Sequence, residues 1–255
     1  MNQLNVNLPE LPYAVSEAMN RLRINIKFCG KNPRRILLTS CQPNEGKSTI
    51  SAYLWKMLAE AGFPTVLVDV DLRKSVLKTR FQMDYDDDTT MGLNHYLSGM
   101  AEYEDVVYST NIPNGYMVPC TQLLENPSAL LEDVRFKELL NTLSENYRFV
   151  IIDSPPLGSV ADGALIASLC DGAVLVVRAG TTPRTLIKQS LYEIQQSGCK
   201  LLGTVLNRAD VKGRAYGKYG YGKYGYGYGY GYGYEPKDKK NSSDSAAADK
   251  NSTGK

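Results

Sequence analysis

The segment Ser-Cys-Gln-Pro-Asn-Glu-Gly-Lys-Ser-Thr at positions 40–49 constrains the fold of this chain more than any other feature. It follows an apolar run at 35–39 that predicts a buried strand, and its end opens a run at 46–61 that predicts a helix. A Gly-Lys-Ser turn in that context is typical of a Walker A phosphate-binding loop. Gly46 would let the backbone approach a phosphate, and the helix N-terminus would direct amide donors at it. Lys47 would neutralise the β- and γ-phosphates, and the Ser48 hydroxyl would coordinate Mg²⁺.

Carboxylates end two further apolar runs. Asp69 and Asp71 close the run at 65–70, and their spacing places both on one face of a strand. Asp153 ends the run at 149–153, in the manner of a Walker B strand. Because ligands of open α/β sheets bind at the carboxyl ends of strands, these three groups and the phosphate loop predict a Mg²⁺–nucleotide site.

Each of these signals also has a plainer explanation. Cys41 stands where the usual Walker A pattern has its first glycine, so the loop could be a strand–turn–helix with an incidental Gly-Lys-Ser. Likewise, Asp69 and Asp71 could simply pair with Arg73 or Lys74. The coincidence of one loop and three acidic strand ends favours the nucleotide site.

The rest of the pattern predicts the fold class. Further strands are expected at 173–178 and 201–206, and helices at 15–26, 134–144, 162–169 and 183–197. Asn126 and Pro127 predict a helix N-cap followed by a proline in the first turn. Strands separated by crossover helices predict an α/β fold, a doubly wound and mostly parallel sheet covered on both faces. We expect a helical N-terminal region at 1–30, a P-loop domain at 31–210, a Gly/Tyr-rich segment at 211–234 and a disordered polar tail at 235–255.

Composition restricts the partners and the compartment. The net charge is +2, and no basic cluster with interleaved aromatic residues stands out except in the C-terminal tail, so we expect no nucleic-acid partner. The five cysteines are scattered without a CxxC pair, as expected in a reducing cytosol rather than in a disulfide framework or a zinc site. No apolar run approaches the about 20 residues of a membrane span, and no signal peptide is evident. Any membrane association is therefore expected to depend on a partner.

Over positions 13–207 the chain resembles the bacterial tyrosine kinases of capsule and exopolysaccharide synthesis, P-loop proteins related to MinD and ParA. In that family the Walker A loop has a proline and GKS without a leading glycine, Walker A′ reads DxDxR, and Walker B begins DxPP. The matching residues here are Pro43 and Gly46 to Ser48 for the first motif, Asp69, Asp71 and Arg73 for the second, and Asp153, Pro155 and Pro156 for the third.

The resemblance implies an ATP-dependent protein-tyrosine kinase that uses Mg²⁺. It implies that Asp69 takes the proton of the attacking tyrosine while Asp71 assists and Asp153 holds the metal through water. A tyrosine hydroxyl has a pKa near ~10, so a positioned carboxylate base would be worth ~10²–10⁴ in rate. The implied catalytic residues are Lys47, Asp69 and Asp71, and the implied metal ligands are Ser48, Asp71 and Asp153. The implied nucleotide contacts are Asn44, Glu45, Gly46, Lys47, Ser48, Thr49, Arg73 and Asn207. For Asn207, a capping role is the alternative to contact with adenine.

Members of the family form rings through an N-terminal ExxRxxR helix that reaches the neighbouring subunit. Glu17 and Arg23 match this motif, but Asn20 stands at its middle arginine. Arg21 is adjacent, yet one position is about 100° around a helix, so it is no direct substitute. The implied oligomerisation residues are Glu17, Arg21 and Arg23, and ordinary surface charge on a helix is the alternative.

The C-terminal segment carries nine of the 18 tyrosines, and each of the nine neighbours a glycine. Such a segment cannot form a core, so each hydroxyl can be presented to an active site. The resemblance implies that this cluster is autophosphorylated in trans within the ring. The candidate phosphorylation sites are Tyr216, Tyr219, Tyr221, Tyr224, Tyr226, Tyr228, Tyr230, Tyr232 and Tyr234. The alternatives are a self-associating segment that is never phosphorylated and, through Lys218 and Lys223, weak binding to anionic surfaces.

Two other functions compete with the kinase. A MinD/ParA-type ATPase switch would carry an extra lysine early in the phosphate loop, where this chain has Gln42, and would lack the tyrosine cluster. A non-catalytic nucleotide-binding scaffold would not need an intact set of Lys47, Asp69, Asp71 and Asp153. The resemblance also implies a transmembrane activating adaptor of the polysaccharide co-polymerase type, which would hold a cytoplasmic kinase at the inner face of the membrane.

Overall fold

The structure is a computed structural model that describes residues 3–30, 33–86, 89–159 and 162–209. The tyrosines predicted to be phosphorylated, and the segments predicted at 211–234 and 235–255, lie outside the described residues. None of the helices in the described segments is long and apolar enough to cross a membrane.

One mixed sheet organises the described part of the chain. Its strands are β1 (Gln3–Leu4), β2 (Arg35–Ser40), β3 (Thr65–Asp69), β4 (Tyr108–Thr110), β5 (Gly115–Val118), β6 (Phe149–Asp153), β7 (Gly172–Arg178) and β8 (Leu201–Asn207). The spatial order is β1-β4-β5-β3-β6-β2-β7-β8. The six strands from β5 to β8 in that order are parallel, whereas β4 pairs antiparallel with β5 and β1 pairs parallel with β4. The predicted mostly parallel α/β sheet is therefore confirmed.

Helices cover both faces of the sheet. They are α1 (Tyr13–Phe28), α2 (Lys47–Glu60), α3 (Leu77–Arg80), α4 (Leu93–Leu97), α5 (Tyr103–Val106), α6 (Ser128–Glu132), α7 (Val134–Asn146), α8 (Asp162–Ser168) and α9 (Arg184–Gln196). Side chains alternate across β2, so that Ile36 and Leu38 pack with α1 and α2 while Leu37 packs with α7, α8 and α9. The central strands are buried on both faces, which explains why they appear in the sequence as continuous apolar runs.

The predicted cap at Asn126 is wrong by one residue. Helix α6 begins at Ser128 with Pro127 as its N-cap, because the carbonyl of Pro127 accepts the first helical hydrogen bond, from the amide of Leu131 at 3.0 Å. Strands β1, β4 and β5 were not expected from the sequence. They have two, three and four residues, too few for an apolar run or an alternation to stand out.

The topology brings three chain segments to one edge of the sheet. Strand β6 lies between β2 and β3, and Asp153 of β6 is the register partner of both Leu38 and Asp69. The phosphate loop follows β2, so it meets the ends of β3 and β6 at the same level. The strand order thus places three motifs that are far apart in the sequence around a single point.

Candidate active site

The phosphate loop is held closed from its start and from β8. The carboxylate of Glu45 accepts hydrogen bonds from the amides of Cys41 at 2.7 Å and Gln42 at 2.9 Å, and also from the hydroxyl of Thr182. Asn207 Nδ2 donates to the carbonyl of Glu45 at 2.8 Å. Glu45 and Asn207 therefore shape the loop, and Asn207 does so by a contact that neither sequence-based interpretation included.

Gly46 occupies a position that other residues could not fill. Its φ is +96°, and a Cβ there would lie 2.2 Å from the Nδ2 of Asn207. A left-handed backbone and this close approach both require glycine. Asn44 also has a positive φ of 65°, which asparagine tolerates better than most residues. Together they turn the chain sharply into α2.

Lys47 is a buried cation among carboxylates. Its Nζ lies 2.8 Å from Asp71 Oδ2, 3.8 Å from Asp153 Oδ2 and 3.2 Å from Ser48 Oγ. Burial opposes the charge, but the carboxylates of Asp153 and Asp71 outweigh it and raise the pKa of Lys47 above its usual value. The ammonium is therefore charged and partnered by groups from β6 and from the segment after β3.

Asp69 is a buried acid, and only one of its two carboxylate oxygens is hydrogen-bonded among the described residues. Its Oδ2 accepts a hydrogen bond from the hydroxyl of Ser75, and its Oδ1 has no hydrogen-bond partner in the described part of the chain. Burial and then the charge of Asp153 raise the pKa of Asp69 well above its usual range. The pKa of Asp153 is raised by burial too, although Lys47 opposes that shift, and its Oδ1 accepts from Ser51 Oγ at 3.0 Å. The Oδ1 of Asp69 is therefore an acceptor available to a donor from outside the described residues.

Arg73 faces a different carboxylate from those expected. Its Nε lies 2.7 Å from the Oδ2 of Asp162, and its Nη1 donates to the carbonyl of Glu125 at 2.7 Å. Asp162 also accepts from the hydroxyl of Ser128 at 2.6 Å. Asp71 forms its ion pair with Lys47, and Lys74 contacts Asp71 only through its backbone amide, at 3.2 Å. The alternative in which Asp69 and Asp71 pair with Arg73 or Lys74 is therefore wrong for the described residues.

The remaining predicted residues lie beside the cleft or on α1. Thr49 accepts a hydrogen bond from Arg80 Nη1 at 2.6 Å at the start of α2. On α1, Arg23 donates two hydrogen bonds to Asn20 Oδ1, at 3.1 Å from Nε and at 2.7 Å from Nη2. Asn20, which replaces the middle arginine of the ExxRxxR motif, therefore binds Arg23, the last arginine of the motif. Arg21 is exposed and Glu17 is partly exposed.

A cleft of about 170 Å³ opens over this cluster. Its lining residues include Asn44, Gly46, Lys47, Ser48, Asp71, Arg73, Lys74, Arg80 and Pro155. The donor set fits a Mg²⁺–nucleotide, because it joins a helix N-terminus, a lysine and a serine hydroxyl to carboxylate oxygens, which Mg²⁺ prefers. The close approach at Gly46 and the unpartnered Asp69 Oδ1 are independent signs of a site built for a ligand.

Sequence reasoning missed several residues that hold this site in place. Ser51, Ser75, Thr182 and Asp162 each bind one of the predicted residues. Only Ser51 had a signal that could have revealed it, since it lies one helical turn after Lys47 and donates to the carbonyl of Lys47. The others come from segments whose proximity depends on the tertiary fold.

The fold and this cluster define a P-loop protein, and a family model described as an AAA domain matches residues 36–195. The chain is 41% identical to the tyrosine-protein kinase CpsD of Streptococcus agalactiae over 208 residues, which are 81% of this chain and 90% of that one. It also superimposes on the crystal structure of the chimerical protein CapA2B2 with a TM-score of 0.72 and 33% identity, covering 80% of this chain and 92% of that one. The chain belongs to the family of bacterial tyrosine-protein kinases.

A more distant relation is also evident. The septum site-determining protein MinD from Pyrococcus horikoshii, solved as a complex with Mg-ADP, is similar with a TM-score of 0.58 and 27% identity. The match covers 69% of this chain and 70% of that one. The expected relation to MinD-type P-loop ATPases is confirmed as a relation of fold.

Proposed function

We propose that this kinase transfers the γ-phosphate of ATP to the tyrosines of its own C-terminal segment, in trans within an oligomer, and thereby regulates capsular or exopolysaccharide synthesis. One observation carries the proposal. Lys47, Asp71, Asp153 and Asp69 converge at the phosphate loop, and Asp69 keeps a buried oxygen free to accept a proton. The chain also supplies nine tyrosines next to glycine as candidate acceptors.

In this proposal the phosphates of the nucleotide replace Asp71 as the partner of the Lys47 ammonium. The ammonium turns from Asp71 to the β- and γ-phosphates, while the amides at the start of α2 hold their oxygens. Ser48, Asp71 and Asp153 would hold Mg²⁺, with Asp153 acting through a water molecule. When bound, Mg²⁺ supplies neutralisation of the charge on the transferring phosphoryl group.

The acceptor tyrosine enters on the side of Asp69. Its Oη forms a bond to the γ-phosphorus as the bond from that phosphorus to the β–γ bridging oxygen breaks, and ADP leaves. The hydroxyl proton passes to Asp69. The geometry of Asp69 suits this role, since Ser75 fixes its Oδ2 while its Oδ1 has no hydrogen-bond partner among the described residues.

We further propose that the kinase works at the inner face of the membrane. A transmembrane adaptor of the polysaccharide co-polymerase type would recruit and activate it. The ring would use α1, through Glu17, Arg21 and Arg23, and phosphorylation of the C-terminal segment would loosen the ring because each phosphate adds about −1.5 to −2 charges. Tyr13 and Phe28 at the two ends of α1 are 82% and 84% exposed, which supports a contact surface on this helix.

The test is phosphate mapping by mass spectrometry after incubation with Mg-ATP, with and without the cytoplasmic segment of a candidate adaptor. We expect phosphate on tyrosines between positions 216 and 234 of the wild type and none in the Lys47→Met chain. To test transfer in trans, the Lys47→Met chain is mixed with an active chain in which the nine tyrosines are phenylalanine. Phosphate on the Lys47→Met chain would then come only from its neighbour.

A MinD-type ATPase switch is the second candidate, favoured by the similarity of fold to MinD. It predicts hydrolysis of ATP without phosphate on any tyrosine, even with the adaptor present. That outcome would remove the kinase proposal and support the switch.

A further inference from the structure

Two cations at the mouth of the cleft have no carboxylate partner among the described residues. Lys74 and Arg80 line the cleft, and both side chains are exposed. Arg80 Nη1 donates to Thr49 Oγ1 at 2.6 Å, which holds its guanidinium beside the start of α2. The two other cations of the cleft lining, Lys47 and Arg73, both form ion pairs.

A bound nucleotide would not require the positive charge of Lys74 and Arg80. A triphosphate with its Mg²⁺ would already meet the phosphate loop, the N-terminus of α2 and Lys47. Asp69 ends β3, and Asp71, Lys74 and Arg80 follow it in the chain, with Arg80 at the end of α3. In an in-line displacement the acceptor approaches opposite the leaving ADP, so the side of the proposed base is the side of the acceptor. Both cations line the same cleft as Lys47 and Asp71, so they add positive charge at the opening through which a tyrosine substrate would enter.

The spacing of the C-terminal tyrosines indicates which ligand Lys74 and Arg80 would bind. From position 224 to position 234 a tyrosine stands at every second residue. In an extended chain, alternate side chains point to the same side and are separated by roughly 7 Å. Once one tyrosine carries phosphate, its neighbour enters the site with about −1.5 to −2 charges beside a γ-phosphate, and these charges repel unless cations lie between them.

We propose that Lys74 and Arg80 form a phosphotyrosine subsite that binds the phosphate on the tyrosine two positions from the one being modified. The inference rests on the proposed function and deepens it. It makes a singly phosphorylated C-terminal segment a better substrate than an unphosphorylated one, so that phosphates accumulate along one chain. The planar guanidinium of Arg80 suits a phosphate, since it can donate two parallel hydrogen bonds.

A binding experiment tests the subsite without turnover. The protein is the full chain with its nine C-terminal tyrosines changed to phenylalanine, saturated with Mg-ADP. The probes are fluorescent heptapeptides with the sequence of positions 224–230, Tyr-Gly-Tyr-Gly-Tyr-Gly-Tyr, with and without one phosphate. We expect the phosphorylated peptide to bind about tenfold more tightly, the scale of hydrogen bonds to charged groups.

The variants assign the effect to the two residues. Lys74→Ala with Arg80→Ala, and the bulkier pair Lys74→Gln with Arg80→Gln, should both lose the tenfold preference. Lys56→Ala, which removes a cation that pairs with Glu60 on α2 outside the cleft lining, should keep it. Equal binding of the two peptides to the starting chain, or a preference that survives in both double variants, would overturn the subsite.

The nucleotide is the other possible source of the phosphate. The affinity of a fluorescent ADP analogue, measured on the same double variants, should change by less than about fivefold, as for exposed charges. If the double variants lose as much affinity for the ADP analogue as for the phosphopeptide, Lys74 and Arg80 bind the nucleotide. That result would also overturn the proposal.

A kinetic experiment on the wild-type tail then separates the two proposals. The wild type should yield chains that carry several phosphates, and the double variants should accumulate chains that carry one. If the wild type places no phosphate on its tyrosines, the proposed function fails, and the peptide-binding result still decides whether the subsite exists.

Discussion

Lys47 Nζ lies 2.8 Å from Asp71 Oδ2, in an ion pair whose side chains are only 10% and 8% exposed. This pair joins the phosphate loop to the segment after β3, and a nucleotide bound as we propose would exchange it for its own contact with Lys47. The arrangement makes Lys47 a group that holds the loop together as well as one that would bind phosphate.

The change Lys47→Met tests both roles. It leaves the buried carboxylates of Asp69, Asp71 and Asp153 without their cation, and removing one partner of a buried ion pair typically lowers the free energy of unfolding by about 3–5 kcal/mol. We expect that loss in denaturant unfolding at pH 7, and a fall of at least about 10²-fold in transfer to the tail. Lys56→Met, at a partly exposed position on the same helix, is the matched control. A Lys47→Met chain with wild-type stability would contradict the structural role.

The change Asp69→Asn tests the proposed base. The amide keeps the size of the carboxylate and can still accept the hydrogen bond of Ser75, but it cannot take a proton from tyrosine. We expect transfer to fall by about 10²–10⁴-fold while the affinity for the nucleotide remains within a few-fold of the wild type. The protein should be no less stable, since the change removes a charge whose burial is unfavourable. Transfer at the wild-type rate would exclude Asp69 as the base.

The pair Gly46→Ala and Gly62→Ala separates a steric effect from backbone strain. Both glycines have a positive φ, +96° and +86°, but only at Gly46 does a new Cβ meet an atom, Asn207 Nδ2 at 2.2 Å. Gly62→Ala should lower the free energy of unfolding by about 1–2 kcal/mol through strain alone. Gly46→Ala should lower it further and should also weaken nucleotide binding, because Asn207 must release the carbonyl of Glu45. Equal effects of the two changes on stability and binding would argue against the contact.

The ion pair of Arg73 with Asp162 predicts a pH dependence of stability. Burial opposes ionisation of Asp162, but the hydrogen bonds of Arg73 and Ser128 outweigh it and lower its pKa. Because the folded pKa lies below the unfolded value of about 3.9, the carboxylate stabilises the fold above that pH. This contribution disappears as the pH falls through the folded pKa.

The change Asp162→Asn should therefore lower the free energy of unfolding at pH 6, and the difference from the wild type should shrink towards pH 3. Glu60→Gln, which removes an exposed acid from the surface pair with Lys56, is the control and should show little difference at either pH. A difference for Asp162→Asn that stays constant between the two pH values would show that packing, not charge, is responsible.

Several elements of the fold and the site were predictable because their signals are local. The apolar runs of β2, β3, β6, β7 and β8 are each five to seven residues long, so they are visible without knowledge of their neighbours. The first four are almost entirely buried, whereas β8 is partly exposed along its length. The Gly-Lys-Ser turn and the two acidic strand ends are equally local. The rule that ligands bind at the carboxyl ends of parallel strands was then enough to bring them together.

Short edge strands and helix limits were not predictable to the same degree. Strand β1 has two residues and pairs with Ser109 and Thr110, more than a hundred positions away, so its existence depends on where β4 lies. The cap of α6 was placed one residue too early because a side chain that favours capping, Asn126, precedes a proline whose carbonyl accepts the first helical bond.

The sequence alone determined which residue types the site contains, because Lys47, Ser48, Asp69, Asp71 and Asp153 each end or begin a segment with a strong local pattern. Tertiary structure alone decided their partners. Arg73 pairs with Asp162 and not with the nearer acids, and Ser75 and Asn207 bind Asp69 and the loop, because a hydrogen bond depends on distances of a few ångströms that the strand order sets. A local pattern specifies the backbone of one segment, whereas the choice among several carboxylates belongs to the packing of segments that are remote in the chain.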